Sequence, residues 1–243
     1  MPGQAHFSIQ LVDPRTGKAI LDTGGFVLVC QAGSPSLQSV LTKTGAAASN
    51  PVTINRGKID FYTADSVTSV DLYGIGPKGE AIEITGITPS GEAAYGISRH
   101  RSGVYRLPFS IADATAATEK DTGLDFVTGV LINAAGIGID VVTNESGKTI
   151  NIGILSSESN GDADGFLAAI SLATAGQVKG TLTNGSATIG ALLVVQDSAN
   201  AGDKVPESWK CDGVAKSLSY TLSSGTASAK GFMNLPFTIL GSM

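Results

Sequence analysis

The sequence predicts an all-β protein built from two β-sandwich or barrel-like domains, the second carrying one short helix. Three observations lead there. Polar and apolar residues alternate with period two over many short segments, among them His6-Phe7-Ser8-Ile9-Gln10-Leu11-Val12 and Ala81-Ile82-Glu83-Ile84-Thr85-Gly86-Ile87, the pattern of strands buried on one face. The 31 glycines follow no collagen period and sit among Ser, Thr, Ala and Asn, as a chain of many tight turns requires. With 243 residues, 42% of them hydrophobic and only 15% charged, the chain is long enough for two cores and too poor in charge to stay disordered.

In the first ninety residues, strands are expected over 6–12, 26–31, 39–44, 58–63, 67–73 and 81–87. The turns between them have a mechanism. Asp13-Pro14-Arg15-Thr16-Gly17 and Gly76-Pro77-Lys78-Gly79 each supply a fixed φ and then a residue free to take φ > 0. This spacing suits a small sandwich over residues 1–97. Gly96-Ile97-Ser98-Arg99-His100-Arg101-Ser102-Gly103 breaks the alternation and gathers positive charge between glycines, so a linker is placed at 98–103.

A larger β-domain is expected over 104–243, with strands at 104–111, 127–134, 139–143, 149–155, 177–182, 187–195, 217–222 and 232–240. Asn144-Glu145-Ser146-Gly147-Lys148 reads as a short hairpin loop with glycine in the left-handed position. The one helix is placed near 165–173, where Asp162 and Asp164 offer caps and Phe166, Leu167, Ile170 and Leu172 an apolar surface. Leu107-Pro108-Phe109-Ser110-Ile111 is echoed by Leu235-Pro236-Phe237-Thr238-Ile239. Proline has no backbone donor, so both copies fit edge or strand-entry positions, with the first and last strands of the domain in similar places, side by side.

The chemistry-bearing patterns are sparse. Gly74-Ile75-Gly76-Pro77-Lys78-Gly79 matches a dinucleotide-binding fingerprint by letter, but a strand follows it where a helix is needed, so it reads as a hairpin turn. Gly147-Lys148-Thr149 lacks the first glycine of a phosphate loop, Val142 standing in its place. Asn160-Gly161-Asp162-Ala163-Asp164-Gly165 opens like a calcium loop, yet Ser171 occupies the position of the closing bidentate Glu. There is no G-x-S-x-G, and His6 and His100 fall in different environments. Asp121, Asp125, Glu145, Glu158, Asp162 and Asp164 offer carboxylates for a glycosidase-like pair, as any acidic β-protein does.

No enzyme activity, cofactor or metal is therefore expected. A net charge of −5 argues against nucleic acid as partner, and no apolar run approaches a membrane span. Cys30 and Cys211 are too far apart for a metal motif and read as buried or half-buried free thiols of a reducing cytoplasm. Four residues are candidates for partner contact. Arg99 and Arg101, with Arg106 further on, form the one dense positive cluster, read as a solvated linker or as a contact to an acidic partner surface. Trp209, the sole tryptophan, reads as a core or subunit-interface anchor before a sugar-stacking platform.

The run 139–153 (IDVVTNESGKTINIG), the segment 165–173 and the stretch from Val205-Pro206-Glu207-Ser208-Trp209-Lys210-Cys211 to Phe237 resemble virion structural proteins of tailed bacteriophages, in particular capsid cement or decoration subunits. The resemblance covers residues 104–241 and rests on Ala/Gly/Ser/Thr-rich strands with few charges. The first domain is similar to small β-sandwich modules attached to phage surface proteins. What the resemblance implies is a non-enzymatic homotrimer that binds the outer surface of the major capsid protein shell, stabilises it, and is made in the bacterial host cytoplasm. A tail, fibre or head-tail connector component and a carbohydrate-binding module, with the first domain as the binder, are the alternatives.

Overall fold

The computed structural model describes residues 3–96, 102–110, 117–182, 188–196, 204–226 and 228–240. Arg99, His100 and Arg101 lie outside them. The chain separates into two compact units, Met1–Arg101 and Ser102–Ser242. Both are β-structures, and the described residues hold one short helical element, a 3-10 turn at Ala191–Leu193.

The first unit contains β1 (Gln4–Val12), β2 (Phe26–Gln31), β3 (Val40–Leu41), β4 (Ala47–Ala48), β5 (Val52–Thr53), β6 (Lys58–Ala64), β7 (Val70–Ile75), β8 (Ala81–Ile87) and β9 (Ser90–Gly96). They form a sheet in the order β4-β3-β6-β1-β9 and a second in the order β5-β2-β7-β8. Alternation decides which side chains meet between them. Phe7, Ile9, Leu11, Ile59 and Phe61 from one sheet share a buried cluster with Val27, Val29, Leu72, Ile82 and Ile84 from the other. The turn at 76–79 is the expected hairpin, with Gly79 at φ +84 and the Gly76 amide donating to the Glu80 carbonyl. Asp71 is buried and its two oxygens accept the amides of Gly33 and Gly86, each at 2.7 Å, which ties the turn at Gly33 and the end of β8 to β7.

The second unit contains β10 (Ser102–Phe109), β11 (Lys120–Phe126), β12 (Val130–Asn133), β13 (Gly138–Thr143), β14 (Thr149–Ile154), β15 (Asp162–Ser171), β16 (Gly176–Lys179), β17 (Val194–Gln196), β18 (Lys204–Pro206), β19 (Ser208–Lys210), β20 (Lys216–Leu222) and β21 (Lys230–Ile239). Ser102 and Gly103, assigned to the linker by composition, are the first residues of β10. One sheet is built on β21. Its one edge pairs with β10, its other with β13 and then β12 in tandem, which in turn pair with β16 and β19. The second sheet runs β11-β20-β14-β15, and β17 and β18 form a separate ribbon. The sheets meet through rings. Tyr105 of β10 stacks on Phe237 at 4.0 Å and reaches Phe126 of β11 at 5.8 Å, while Phe166 of β15 meets Trp209 of β19 edge-on at 5.3 Å.

The first and last strands are side by side as antiparallel partners, Ser102 opposite Thr238 and Phe109 opposite Gly231. The edge position expected for both prolines holds for Pro108, but Pro236 sits in the central strand. It is accommodated because it falls between Asn234, the last residue paired with β13, and Phe237, the first paired with β12. A side chain at Gly136, in the turn between those two strands, would meet its ring.

Two further expectations are corrected. The helix at 165–173 is strand β15. Two register shifts against β14 displace Phe166, Leu167 and Ile170 from strict alternation and produce the three-to-four spacing that reads as helical. The Asn144–Lys148 segment has its left-handed Gly147 at φ +71, but the strands it joins belong to different sheets, so it is an arch from sheet to sheet and not a hairpin.

Candidate functional site

The first unit carries an open groove of about 300 Å³ between β3, β6 and the segment 48–53. Along β6 the pleat sends Phe61 inward and Asp60 and Tyr62 outward to border the groove. Register then places His6 of β1 directly opposite Tyr62. The two rings stack at 4.5 Å and 14°, and His6 Nε2 lies 2.7 Å from Asp60 Oδ1. Lys58 Nζ is 3.8 Å from the other oxygen of Asp60. Asp60 remains nearly half exposed, with 46% of its side chain open. Lys43, Thr42, Ser49 and Thr53 complete the polar lining, and Leu41, Pro51 and Val52 the apolar part.

Both walls of the groove are held by side-chain hydrogen bonds. Asn50 Oδ1 accepts the Val29 amide at 2.9 Å, and its Nδ2 donates to the carbonyls of Val29 at 2.8 Å and Gln38 at 2.9 Å. Opposite, Gln4 Nε2 donates to the Thr42 carbonyl at 3.0 Å, and Thr42 Oγ1 accepts the Ala46 amide. Such a groove is shaped before any ligand arrives.

In the second unit the carboxylates hold the chain together. Glu119 accepts hydrogen bonds from the Ser156 amide and hydroxyl and from Ser219 Oγ. Burial pushes its carboxyl up, but these bonds together outweigh it and hold the group below the ordinary 4.5. Glu158 accepts the Ser217 amide, Asp125 accepts the Ser217 hydroxyl, and Glu145 accepts the amides of Ser228 and Ala229. Asp162 and Asp164 form a close pair. A hydrogen bond with Asp162, aided by burial and by the like charge, raises the Asp164 carboxyl. Asp162 opens β15, and among the described residues no three His, Cys, Asp or Glu side chains come together as a metal site would require. Cys30 and Cys211 are buried free thiols, and burial first of all raises them to about 12 and about 11.

No protein-family model matches the chain. No curated protein matches it either. Among solved structures, the chain is similar to those titled "Crystal structure of infectious bursal disease virus VP2 subviral particle" (15% identity, TM-score 0.24) and "Structure of infectious bursal disease virus Gt strain" (14% identity, TM-score 0.24). Each likeness covers 97% of this chain and 56% of the other, so the chain spans little more than half the length of those proteins. A likeness at this level carries neither fold nor function across.

Of the expected contact residues, Arg106 and Trp209 are described, and each is engaged within the second unit. Arg99 and Arg101 lie outside the described residues. Arg106 is half-buried on β10, where its guanidinium lies 3.5 Å over the Phe232 ring and Nη2 donates to Asp140 Oδ2 at 3.2 Å. It braces three adjacent strands of one sheet. Trp209 is half-buried, with Phe126 and Phe166 both edge-on to it at 5.8 and 5.3 Å, an anchor between the sheets. The groove residues Lys43, Asp60 and Tyr62 were not singled out from sequence. Period-two spacing does put Asp60 and Tyr62 on one strand face, but the groove wall comes from residues 48–53, which show no strand pattern.

Proposed function

We propose that this chain is a non-enzymatic structural protein of a virion, a bacteriophage cement protein that binds the outer surface of the major capsid shell as a homotrimer and stabilises it. The observation that carries the reading is the use of acidic side chains in the second unit. Glu119, Glu145 and Glu158 each accept backbone amides of a distant segment, at Ser156, Ser228 and Ser217. Carboxylates bound in this way order loops on a rigid sheet pair, and a shell-binding protein needs ordered loops and broad faces whose weak contacts symmetry multiplies. The outer strand β10 adds a place for self-association, since β21 is its one strand partner among the described residues and Val104 on it is 50% exposed.

Light scattering after size exclusion, followed by co-sedimentation with purified capsid shells, tests the reading. A mass three times that of the chain and saturable binding in hundreds of copies per shell are expected. A monomer at every concentration that also fails to sediment with shells would end it, and binding in only a few copies per particle would move the protein to the tail or connector.

A further inference from the structure

We propose that the groove of the first unit is a binding site for a neutral saccharide. A pyranose ring has one apolar face and a rim of hydroxyls, and the groove offers the complement of both. Tyr62 and Leu41 supply an apolar, partly aromatic wall, and Asp60, Lys43, Ser49 and Thr53 supply acceptors and donors around it. The charge of the lining selects against other ligands. One carboxylate and one ammonium line the groove, and Lys58, 3.8 Å from the other oxygen of that carboxylate, is engaged with it, so the lining has neither the basic cluster that binds a phosphate nor the acidic excess that binds a polycation.

His6 acts as a positioning residue. It backs one face of Tyr62 and holds one oxygen of Asp60, which fixes both groups while leaving almost half of the Asp60 side chain open. Asn50 and Gln4 hold the two walls without contributing to the lining, so a ligand meets a formed site and orders little on binding. A site with one aromatic platform and a few hydrogen bonds binds weakly and gains strength by multiplicity. The site does not depend on the assignment to a capsid, and its test reads a different quantity.

The experiment is a glycan array of the full-length protein, displayed multivalently, followed by titration of the best-bound oligosaccharide monitored by amide chemical shifts. The titration is repeated on Tyr62→Ala, on the conservative Asp60→Asn, and on Lys179→Ala on an exposed strand of the second unit. Thermal melts establish that each variant is folded. The expected result is binding of a neutral oligosaccharide with shifts at residues 40–43, 49–53 and 60–62. Affinity should fall tenfold or more in Tyr62→Ala and in Asp60→Asn and remain unchanged in Lys179→Ala. Binding that survives both groove substitutions in folded protein overturns the proposal, as does an array on which no neutral saccharide is retained. Selective retention of sialylated or sulfated glycans also overturns it, because the groove would then be reading negative charge.

Discussion

Glu119 shows how a single side chain serves this fold. It reaches from the start of the second unit to Ser156 and Ser219, residues 37 and 100 positions away, and these bonds favour its ionised form. Because the folded state holds its proton less tightly than the unfolded chain, its contribution is fully present above the ordinary 4.5 and is lost as pH falls through the depressed folded value. Urea midpoints measured from pH 7 to pH 3 should therefore show the native protein ahead of Glu119→Gln at neutral pH and the gap closing below about pH 4.5. A gap that stays constant into acid would show that the hydrogen bonds act without the charge. None of this is legible in the sequence, where Glu119 carries no motif of its own. Spacing along a chain does not reveal that an acid will meet a hydroxyl a hundred residues away. Arg106 teaches the same lesson, since its Asp140 partner and the Phe232 beneath it come from two other strands.

At the scale of the element, alternation was sufficient wherever a strand is regular, as in β1, β6 and β8, whose burial follows period two for most of their length. It failed at β15. There Ile150 faces Ile170 and Ile152 faces Leu167, so β15 spends three residues where β14 spends two, and Ala169 takes φ +51 to absorb the extra one. Asn151 Oδ1 accepts the Ala169 amide at 2.7 Å and secures the bulge. Local propensity in an alanine-rich segment favoured a helix, and pairing with β14 overrode it. Ala169 is exposed, so glycine there removes the left-handed strain, about 1 kcal/mol, without opening a cavity, and gives back part of that gain through a freer unfolded chain. Ala169→Gly should raise the melting temperature by about 1–2 °C. A drop of the same size would mean that the backbone at this position is not left-handed. The groove was hidden from sequence for a related reason. Its wall over 48–53 is a sheet-to-sheet crossing held by Asn50, and such crossings carry no periodic signal.

At the scale of the whole molecule, the two units close in different ways. Among the described residues, the sheet pairings of the first unit lie within residues 4–96. The second unit cannot complete its larger sheet until the last strand arrives, because β21 is the common partner of β10, β12 and β13. Non-local closure of this kind makes folding slow and places a large share of the unit's stability in one C-terminal segment. Trp209 offers a direct reporter, since it is the sole tryptophan and packs against Phe126 and Phe166 between the sheets of that unit. A chain ending at Ala229 should therefore keep a protease-resistant fragment spanning the first unit and lose the second. Its tryptophan emission should shift to the red, towards that of a solvated indole, in the absence of denaturant. If the truncated chain instead retains the blue-shifted emission of the full-length protein and resists proteolysis beyond residue 102, then β11, β14, β15 and β20 hold the tryptophan without β21. In that case the smaller sheet, and not the strand that joins the two ends of the unit, carries the unit's stability.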